Sequence, residues 1–165
     1  MGIWQINLKN GFYTALGTPL NEMGEVIPGS LTKHIEQQIG AGASGLLLMG
    51  SMGIQSAIRN SEFPKVAKAA QEAVKGRVPL FVGVMDNSVM RVKDRIDSLD
   101  GLAIDGVVAT TPFYSKCTDE EIISFFKGIA SASPFPVYLY DLPVVTKLKI
   151  TFEIVNEVSR CPNIV

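Results

Sequence analysis

The sequence predicts an α/β protein built from repeated strand–helix units. Apolar runs of strand length alternate, along all 165 residues, with stretches in which apolar residues recur three and four positions apart. The strand-like runs are almost continuously hydrophobic, which is typical of a parallel sheet with both faces covered. Each unit takes roughly 25–35 residues, the usual length of a βα repeat. These observations predict a parallel sheet with a helix after each strand.

Five apolar runs are predicted as strands, and a further run begins at the end of the chain. The predicted strands cover residues 11–16, 45–49, 79–85, 106–110 and 136–140. A sixth strand is predicted to begin near residue 163 and to be cut off. No linker or low-complexity stretch interrupts the pattern, so residues 1–165 are predicted to form a single domain.

The first three helices carry start signals. Ser30 can cap the first helix, and the second begins near Asn60 or Ser61, with Pro64 in its first turn. Ser88 is predicted to cap the third. The predicted inward faces are Leu31, Ile35 and Ile39 in the first helix, Phe63, Val66, Ala67, Ala70 and Val74 in the second, and Val92, Ile96 and Leu99 in the third.

The last two predicted helices also begin with polar capping residues. The segment from Thr118 to Glu121 has the pattern of a capping box, and its acidic residues suit the positive end of a helix dipole. The fifth helix is predicted to begin near Thr151. The predicted inward faces are Ile122, Phe125, Phe126 and Ile129 in the fourth helix, and Phe152, Val155 and Val158 in the fifth.

Two architectures fit this order of elements. A five-stranded doubly wound sheet would be complete at this length, whereas a (β/α)8 barrel needs about 250 residues and would be incomplete. A doubly wound domain usually closes with a helix, but this chain closes by beginning a strand. The first strand–helix turn, 17–21, carries no dinucleotide or P-loop fingerprint. We therefore predict a TIM (β/α)8 barrel, truncated after about five βα units.

Composition and charge narrow the class of protein. Hydrophobic residues make up 47% of the chain and the formal net charge is −1, with no basic stripe, so nucleic acid is not an expected partner. The apolar runs are too short to span a membrane, and the first residues hold no apolar core of signal-peptide length. Cys117 and Cys161 are expected to be reduced thiols. A cytoplasmic protein is predicted.

Candidate site residues follow the predicted strands, because the active sites of such barrels lie at the carboxyl ends of the strands. These ends are rich in hydroxyl groups and hold no cluster of metal ligands, so neither a metal nor a cofactor is expected. The turn formed by Gly50, Ser51, Met52 and Gly53 can bind an anion through its backbone N–H groups and the serine hydroxyl. On spacing alone, an ordinary strand-to-helix turn is the favoured alternative.

Two tyrosines follow later strands. Tyr114 comes after the fourth strand and Tyr140 after the fifth. A phenol both donates and accepts, so these tyrosines, with Ser51 between them, can relay protons to and from a carbinolamine. The alternative is that both tyrosines only cap the core. The carboxylates of Asp86 and Asp141 are interpreted as turn residues.

Motifs in a fixed order carry a resemblance to a known family. They are the first strand with Thr18-Pro19, Gly50-Ser51-Met52-Gly53, Thr111-Pro112-Phe113-Tyr114, Tyr140-Asp141-Leu142-Pro143 and Pro162-Asn163-Ile164-Val165. Their order and spacing resemble the dihydrodipicolinate synthase / N-acetylneuraminate lyase family. Members of that family bind a 2-keto acid, usually pyruvate, as a Schiff base on a lysine whose amine is freed by desolvation.

The resemblance implies roles for the matching residues. Tyr140 would be the proton shuttle beside the lysine, and Ser51 would link it to Tyr114. The backbone at Gly50, Ser51 and Met52 would hold the carboxylate of the keto acid. In the family the second tyrosine is often lent by a neighbouring subunit, which implies a homodimer or homotetramer.

Three departures from the family pattern bear on function. The Schiff-base lysine is absent and is expected shortly past Val165. Met52 and Ile54 replace a hydroxyl residue and a glutamate of the carboxylate loop. Val145 stands where the synthases usually have an arginine that binds the carboxylate of the second substrate, and an apolar side chain cannot make that bidentate pair.

The resemblance therefore implies a lyase or aldolase that acts on pyruvate or a related 2-keto acid, and Val145 favours cleavage or formation of a keto sugar acid. One alternative is dihydrodipicolinate synthase proper, which joins pyruvate to aspartate semialdehyde. Others are a non-catalytic relative that binds a keto acid, and a complete five-stranded binding domain without Schiff-base chemistry.

Overall fold

A parallel five-stranded sheet forms the centre of the molecule. The computed structural model describes residues 10–165. The strands are β1 (Tyr13–Ala15), β2 (Gly45–Leu48), β3 (Leu80–Gly83), β4 (Gly106–Ala109) and β5 (Val137–Leu139). Each strand pairs in parallel with the next one along the chain, in the order β1-β2-β3-β4-β5. A doubly wound sheet reverses its strand order at a switch point, and this sheet does not, so the doubly wound alternative is wrong.

Helices connect the successive strands. They are α1 (Pro28–Gly40), α2 (Phe63–Val74), α3 (Val89–Asp97), α4 (Asp119–Ala132), α5 (Pro143–Thr146) and α6 (Phe152–Val158), with a short 3-10 helix at Gln55–Ala57. The one-turn helix α5 was not predicted. It begins at Pro143, whose fixed φ suits the first helical position, and the Thr146 hydroxyl donates to the Leu142 carbonyl at 3.2 Å. No helix in residues 10–165 is long and apolar enough to cross a membrane.

The strands bury alternate side chains on opposite faces of the sheet. One set packs under the helices and is fully buried: Leu46, Leu48, Val82, Val107 and Val137. The other set lines an apolar cavity of about 230 Å³ on the opposite face: Tyr13, Leu47, Phe81, Val108 and Tyr138. Side chains that alternate in this way are typical of strands that line the interior of a barrel.

Glycines make room for the large rings on the inner face. A Cβ at Gly45 would collide with the Tyr13 ring, and a Cβ at Gly106 would lie 2.6 Å from the Tyr138 ring. The ring of Phe81 lies between these tyrosines, with centroids 6.0 Å from Tyr13 and 4.9 Å from Tyr138. Large and small residues on neighbouring strands therefore fit together to fill this layer of the interior.

Local sequence signals place two helix starts correctly. The Ser88 hydroxyl accepts from the Arg91 N–H, and Thr118 and Glu121 form the predicted capping box. The prediction that Ser30 caps the first helix is wrong. Helix α1 begins at Pro28, whose fixed φ suits the first helical position, and follows Ile27, whose apolar side chain makes no cap.

The start of α6 was predicted correctly, but its buried face was not. The Thr151 hydroxyl accepts from the Ile154 N–H at 3.3 Å, as a cap should. Phe152 is 80% exposed and Val155 is also exposed, whereas Ile154 and Val158 are fully buried. The segment has apolar residues on two overlapping faces, and packing against α4 selects the face that carries Ile154.

The end of the chain lies beside β5. The Val137 N–H donates to the Asn163 carbonyl at 2.8 Å, and Ile164 forms a single parallel bridge with Val137. The Asn163 side-chain NH2, which has two hydrogens, lies within hydrogen-bonding distance of three carbonyls at the end of α4 and after it, those of Ala130, Ser133 and Phe135. These bonds hold residues 163–165 at the position where the sequence predicts a sixth strand. The first nine residues, on which the expectation about a signal peptide depends, lie outside the described part of the chain.

Candidate functional site

Loops at the carboxyl ends of the strands bring distant residues together. The Ser51 hydroxyl, after β2, lies 3.3 Å from the Tyr140 phenol, after β5, although 89 residues separate them in sequence. Either oxygen can be the donor, so the pair can pass a proton in either direction. The two hydroxyls that the resemblance assigns to one relay thus lie within hydrogen-bonding distance.

The loop after β2 has strained backbone on both sides of Ser51. Met49 and Ile54 adopt left-handed conformations, with φ of 51° and 48°. Such angles are costly for a β-branched residue such as Ile54. Inside the loop, the Ile54 N–H donates to the Ser51 carbonyl at 3.1 Å, and the Gln55 N–H donates to the Gly50 carbonyl at 3.3 Å. The loop is therefore held in one shape by its own backbone bonds.

Gly53 is required in this loop by close packing rather than by its φ angle. A Cβ there would lie 2.8 Å from the Met49 Cα and 3.0 Å from the Leu16 carbonyl oxygen. The Thr18 hydroxyl donates to the Gly53 carbonyl at 2.7 Å and ties the loop to the end of β1. The predicted carboxylate site at Gly50, Ser51 and Met52 thus sits on an anchored loop, and its ligand stays a prediction.

Tyr114 is placed apart from the other two hydroxyls. Its side chain is 89% exposed, while the N–H groups of Phe113 and Tyr114 both donate to the Asn87 side-chain oxygen, at 2.8 and 2.9 Å. The loop after β4 is thereby fixed to the loop after β3. Within the described chain the phenol of Tyr114 does not reach Ser51 or Tyr140, so the three-residue relay stays a prediction.

Asp86 does more than shape a turn. Its carboxylate accepts from the Arg91 Nε at 2.7 Å and the Asn87 N–H at 2.7 Å, and forms an ion pair with Arg95 Nη2 at 2.8 Å. Burial alone would raise the pKa of Asp86, but the bonds to Arg91 and Asn87 and the charges of both arginines hold it below its ordinary value. The spacing of Arg91 and Arg95, one helical turn apart on α3, was the available sequence signal.

Asp141 has the structural role that the sequence favoured. Its carboxylate accepts from the Lys149 ammonium and, at 3.0 Å, from the Ile150 N–H. These bonds join the segment after α5 to the end of β5. Lys147 is exposed and donates to the Val144 carbonyl at 2.8 Å.

A cavity of about 170 Å³ opens beside Ser51. Its lining comes from the loops after β2, β3, β4 and β5, and comprises Gly50, Ser51, Gln55, Ser56, Met85, Thr110, Phe113, Leu142, Val145 and Thr146. Val145 thus faces the same space as Ser51. Among residues 10–165 no group of three or more histidine, cysteine, aspartate or glutamate side chains is placed to hold a metal ion.

The fold and the site define a class of protein: a parallel βα barrel whose neighbouring strands are consecutive in sequence, with a pair of hydroxyls at the carboxyl ends of the strands. Comparison with known proteins makes this specific. The Dihydrodipicolinate synthetase family model matches residues 8–165. The chain belongs to this family, as its motifs predicted.

Relatives with established names are similar over nearly the whole chain. The 4-hydroxy-tetrahydrodipicolinate synthase of Porphyromonas gingivalis is 31% identical over 94% of this chain and 52% of its own length. The enzyme of the same name from Exiguobacterium sibiricum is 30% identical over 93% of this chain and 53% of its own length. The chain therefore spans about half the length of these relatives.

Solved structures agree with the fold. The dihydrodipicolinate synthase of Acinetobacter baumannii, a chloride-inhibited form complexed with pyruvate, superposes with a TM-score of 0.88 at 28% identity, covering 94% of this chain and 53% of that one. A family member from Escherichia coli K12, also in complex with pyruvate, superposes with a TM-score of 0.85 at 25% identity, covering 91% and 50%. The predicted (β/α)8 barrel, represented here by five βα units, is confirmed.

Proposed function

We propose that the protein containing this chain is a lyase or aldolase that forms a Schiff base with pyruvate or a related 2-keto acid. The single observation that carries the proposal is the contact of 3.3 Å between the hydroxyls of Ser51 and Tyr140 at the strand ends. A carbinolamine must lose water to become a Schiff base, and a hydroxyl pair that can donate and accept supplies that proton transfer. Two structurally similar relatives were solved with pyruvate.

The second substrate separates two candidate functions. The names of the similar sequences support a 4-hydroxy-tetrahydrodipicolinate synthase, which is the alternative of the sequence analysis. Against it, Val145 lines the cavity beside Ser51 at the position where the synthases usually have arginine. An apolar side chain gives no charge to hold a second carboxylate. We therefore favour an uncharged aldehyde partner, as in the cleavage or formation of a keto sugar acid.

The exposed Tyr114 supports an oligomer. A phenol that is 89% exposed beside a site, on a loop fixed by Asn87, is placed to contact a second copy of the protein. We propose a homodimer or homotetramer in which Tyr114 completes the partner's relay. We also propose a cytoplasmic location.

Trapping the Schiff base tests the proposed reaction. This chain, and a version extended through the strands that follow Val165, are each treated with pyruvate and borohydride and weighed intact. An adduct on the extended version alone is expected, because the lysine is expected past Val165. If neither version forms an adduct, the aldolase is refuted and a non-catalytic relative remains.

A matched pair of substitutions tests the role of Tyr140. In the extended version, Tyr140→Phe should slow adduct formation by about 100-fold, the usual contribution of a positioned acid–base group. Tyr138→Phe is the control, since it removes a tyrosine hydroxyl two residues earlier that has no hydrogen-bond partner in the described chain. Equal rates for the two variants would contradict the assignment.

A further inference from the structure

Two buried polar groups that line the cavity beside Ser51 have no hydrogen-bond partner in the described part of the chain. The side-chain nitrogen of Gln55 and the hydroxyl of Thr110 make no hydrogen bond within residues 10–165, although each residue is only 2% exposed. Both residues line the same cavity. Burial of an unpaired donor destabilises a protein, and such groups in native structures usually have a ligand or water to bind.

The backbone before Gln55 adopts a costly conformation. Ile54 lies in the left-handed region at φ 48°, and this apolar residue is 47% exposed. The next residue, Gln55, begins the 3-10 helix and is buried. A sequence selected only for stability would avoid both features. Strain of this kind persists where the surrounding structure imposes it, and it is concentrated at ligand sites.

The lining of the cavity defines what it can bind. Among residues 10–165, none that lines the cavity is charged: hydroxyls come from Ser51, Ser56, Thr110 and Thr146, an amide comes from Gln55, and the remaining side chains are apolar. Apart from the backbone of the Ser51 loop, where the carboxylate of the keto acid is proposed to bind, the lining offers no positive group for a second carboxylate. A hydrocarbon would leave Gln55 and Thr110 unpaired. A neutral hydroxyl group satisfies both, because it accepts from the amide and also exchanges a hydrogen bond with a threonine.

We infer that Gln55 and Thr110 are specificity-determining residues that bind a hydroxyl group of an uncharged hydroxyaldehyde, the second substrate. This inference rests on the proposed Schiff-base function and extends it to the recognition of the aldehyde. The keto acid would be held near Ser51, and the hydroxyl-bearing carbons of the aldehyde would lie along Gln55 and Thr110. The hydroxyaldehyde would then be selected over its deoxy analogue, because only the hydroxyl pairs the two buried groups.

The test compares two aldehydes of equal length in the extended protein. With pyruvate as donor, kcat/KM is measured for glyceraldehyde and for propanal, which lacks the hydroxyls. The wild type should prefer glyceraldehyde, and Gln55→Met should lower the ratio of the two kcat/KM values by about 10-fold or more. Thr110→Val, which keeps the shape of the side chain, should lower the same ratio. Gln37→Met, on the exposed face of α1, is the matched control and should keep the wild-type ratio.

The outcomes separate the two proposals. If pyruvate forms an adduct but the ratio is unchanged in both Gln55→Met and Thr110→Val, the recognition by these residues is refuted and the proposed function stands. If the wild type forms no adduct with pyruvate, the proposed function fails and the inference fails with it. If Gln55→Met does not fold, as judged by circular dichroism, Thr110→Val alone tests the inference. A wild-type ratio of the two kcat/KM values in Thr110→Val would then refute it.

Discussion

The most direct structural prediction concerns Gly83, the last residue of β3. A Cβ on Gly83 would lie 2.9 Å from the carbonyl carbon of Met49 and closer still to its oxygen. Ordinary contacts begin near 3.4 Å, so the backbone after β2 would have to move by at least about half an ångström. The Met49 atoms in contact belong to the backbone, so rotation of a flexible side chain cannot relieve this contact. Met49 is fully buried and lies two residues before Ser51.

Gly83→Ala should therefore lower the free energy of unfolding by about 3 kcal/mol, the upper part of the range for overpacked cores. In the extended version, Gly83→Ala should also slow adduct formation, because the displaced loop carries Ser51 away from Tyr140. Urea denaturation followed by circular dichroism measures the first effect, and mass spectrometry of the borohydride-trapped adduct measures the second.

Gly29→Ala is the matched control. Gly29 lies in the first turn of α1, and a Cβ there meets nothing within 4 Å. Since alanine forms helix better than glycine, this variant should be as stable as the wild type or up to about 1 kcal/mol more stable. A Gly83→Ala protein with wild-type stability would refute the claim that the approach of β3 to Met49 requires glycine.

Two further predictions concern buried groups. Asp86→Asn should lower the free energy of unfolding at neutral pH by about 3 kcal/mol, because it leaves the buried Arg95 without its counter-charge. The folded-state pKa of Asp86 lies below the ordinary value of 3.8, so the carboxylate stabilises the protein above that pH. This contribution is lost as the pH falls through the folded pKa, so the free energies of unfolding of the wild type and Asp86→Asn, measured by urea titration, should converge there. A constant difference between the two down to the most acidic pH would contradict the assignment. Tyr138→Phe should raise the free energy of unfolding by about 1 kcal/mol, because the Tyr138 hydroxyl is buried and has no hydrogen-bond partner within residues 10–165. A loss of stability in the same urea titration would show that the hydroxyl is bonded.

Features that depend on a few neighbouring residues could be predicted from the sequence. The caps at Ser88, Thr118 and Thr151 each join a side chain to an N–H three residues later, so the local sequence contains both partners. The alternation of apolar runs with helical periodicity likewise specified the parallel βα units. The resemblance of the ordered motifs then predicted the family, which the comparison with known proteins confirmed.

Other features depended on packing between distant segments. The sequence allowed two buried faces for α6, and contact with α4 selected Ile154 and Val158 over Phe152. The ion pairs of Asp86 with arginines on α3 were likewise mistaken for turn chemistry, because only the packed structure shows how deeply the carboxylate is buried.

The sequence by itself thus determined the order of the elements, most of their capping residues and the family of the chain. The resemblance also predicted that Ser51 and Tyr140 belong to one relay, and the structure gives their distance of 3.3 Å. Only the tertiary structure decided that Gln55 and Thr110, whose polar groups have no partner within residues 10–165, share one cavity. The physical reason is distance along the chain. Capping and periodicity act over a few residues, whereas burial and contacts at the strand ends exist only after the parallel strands have brought their loops to one edge of the sheet.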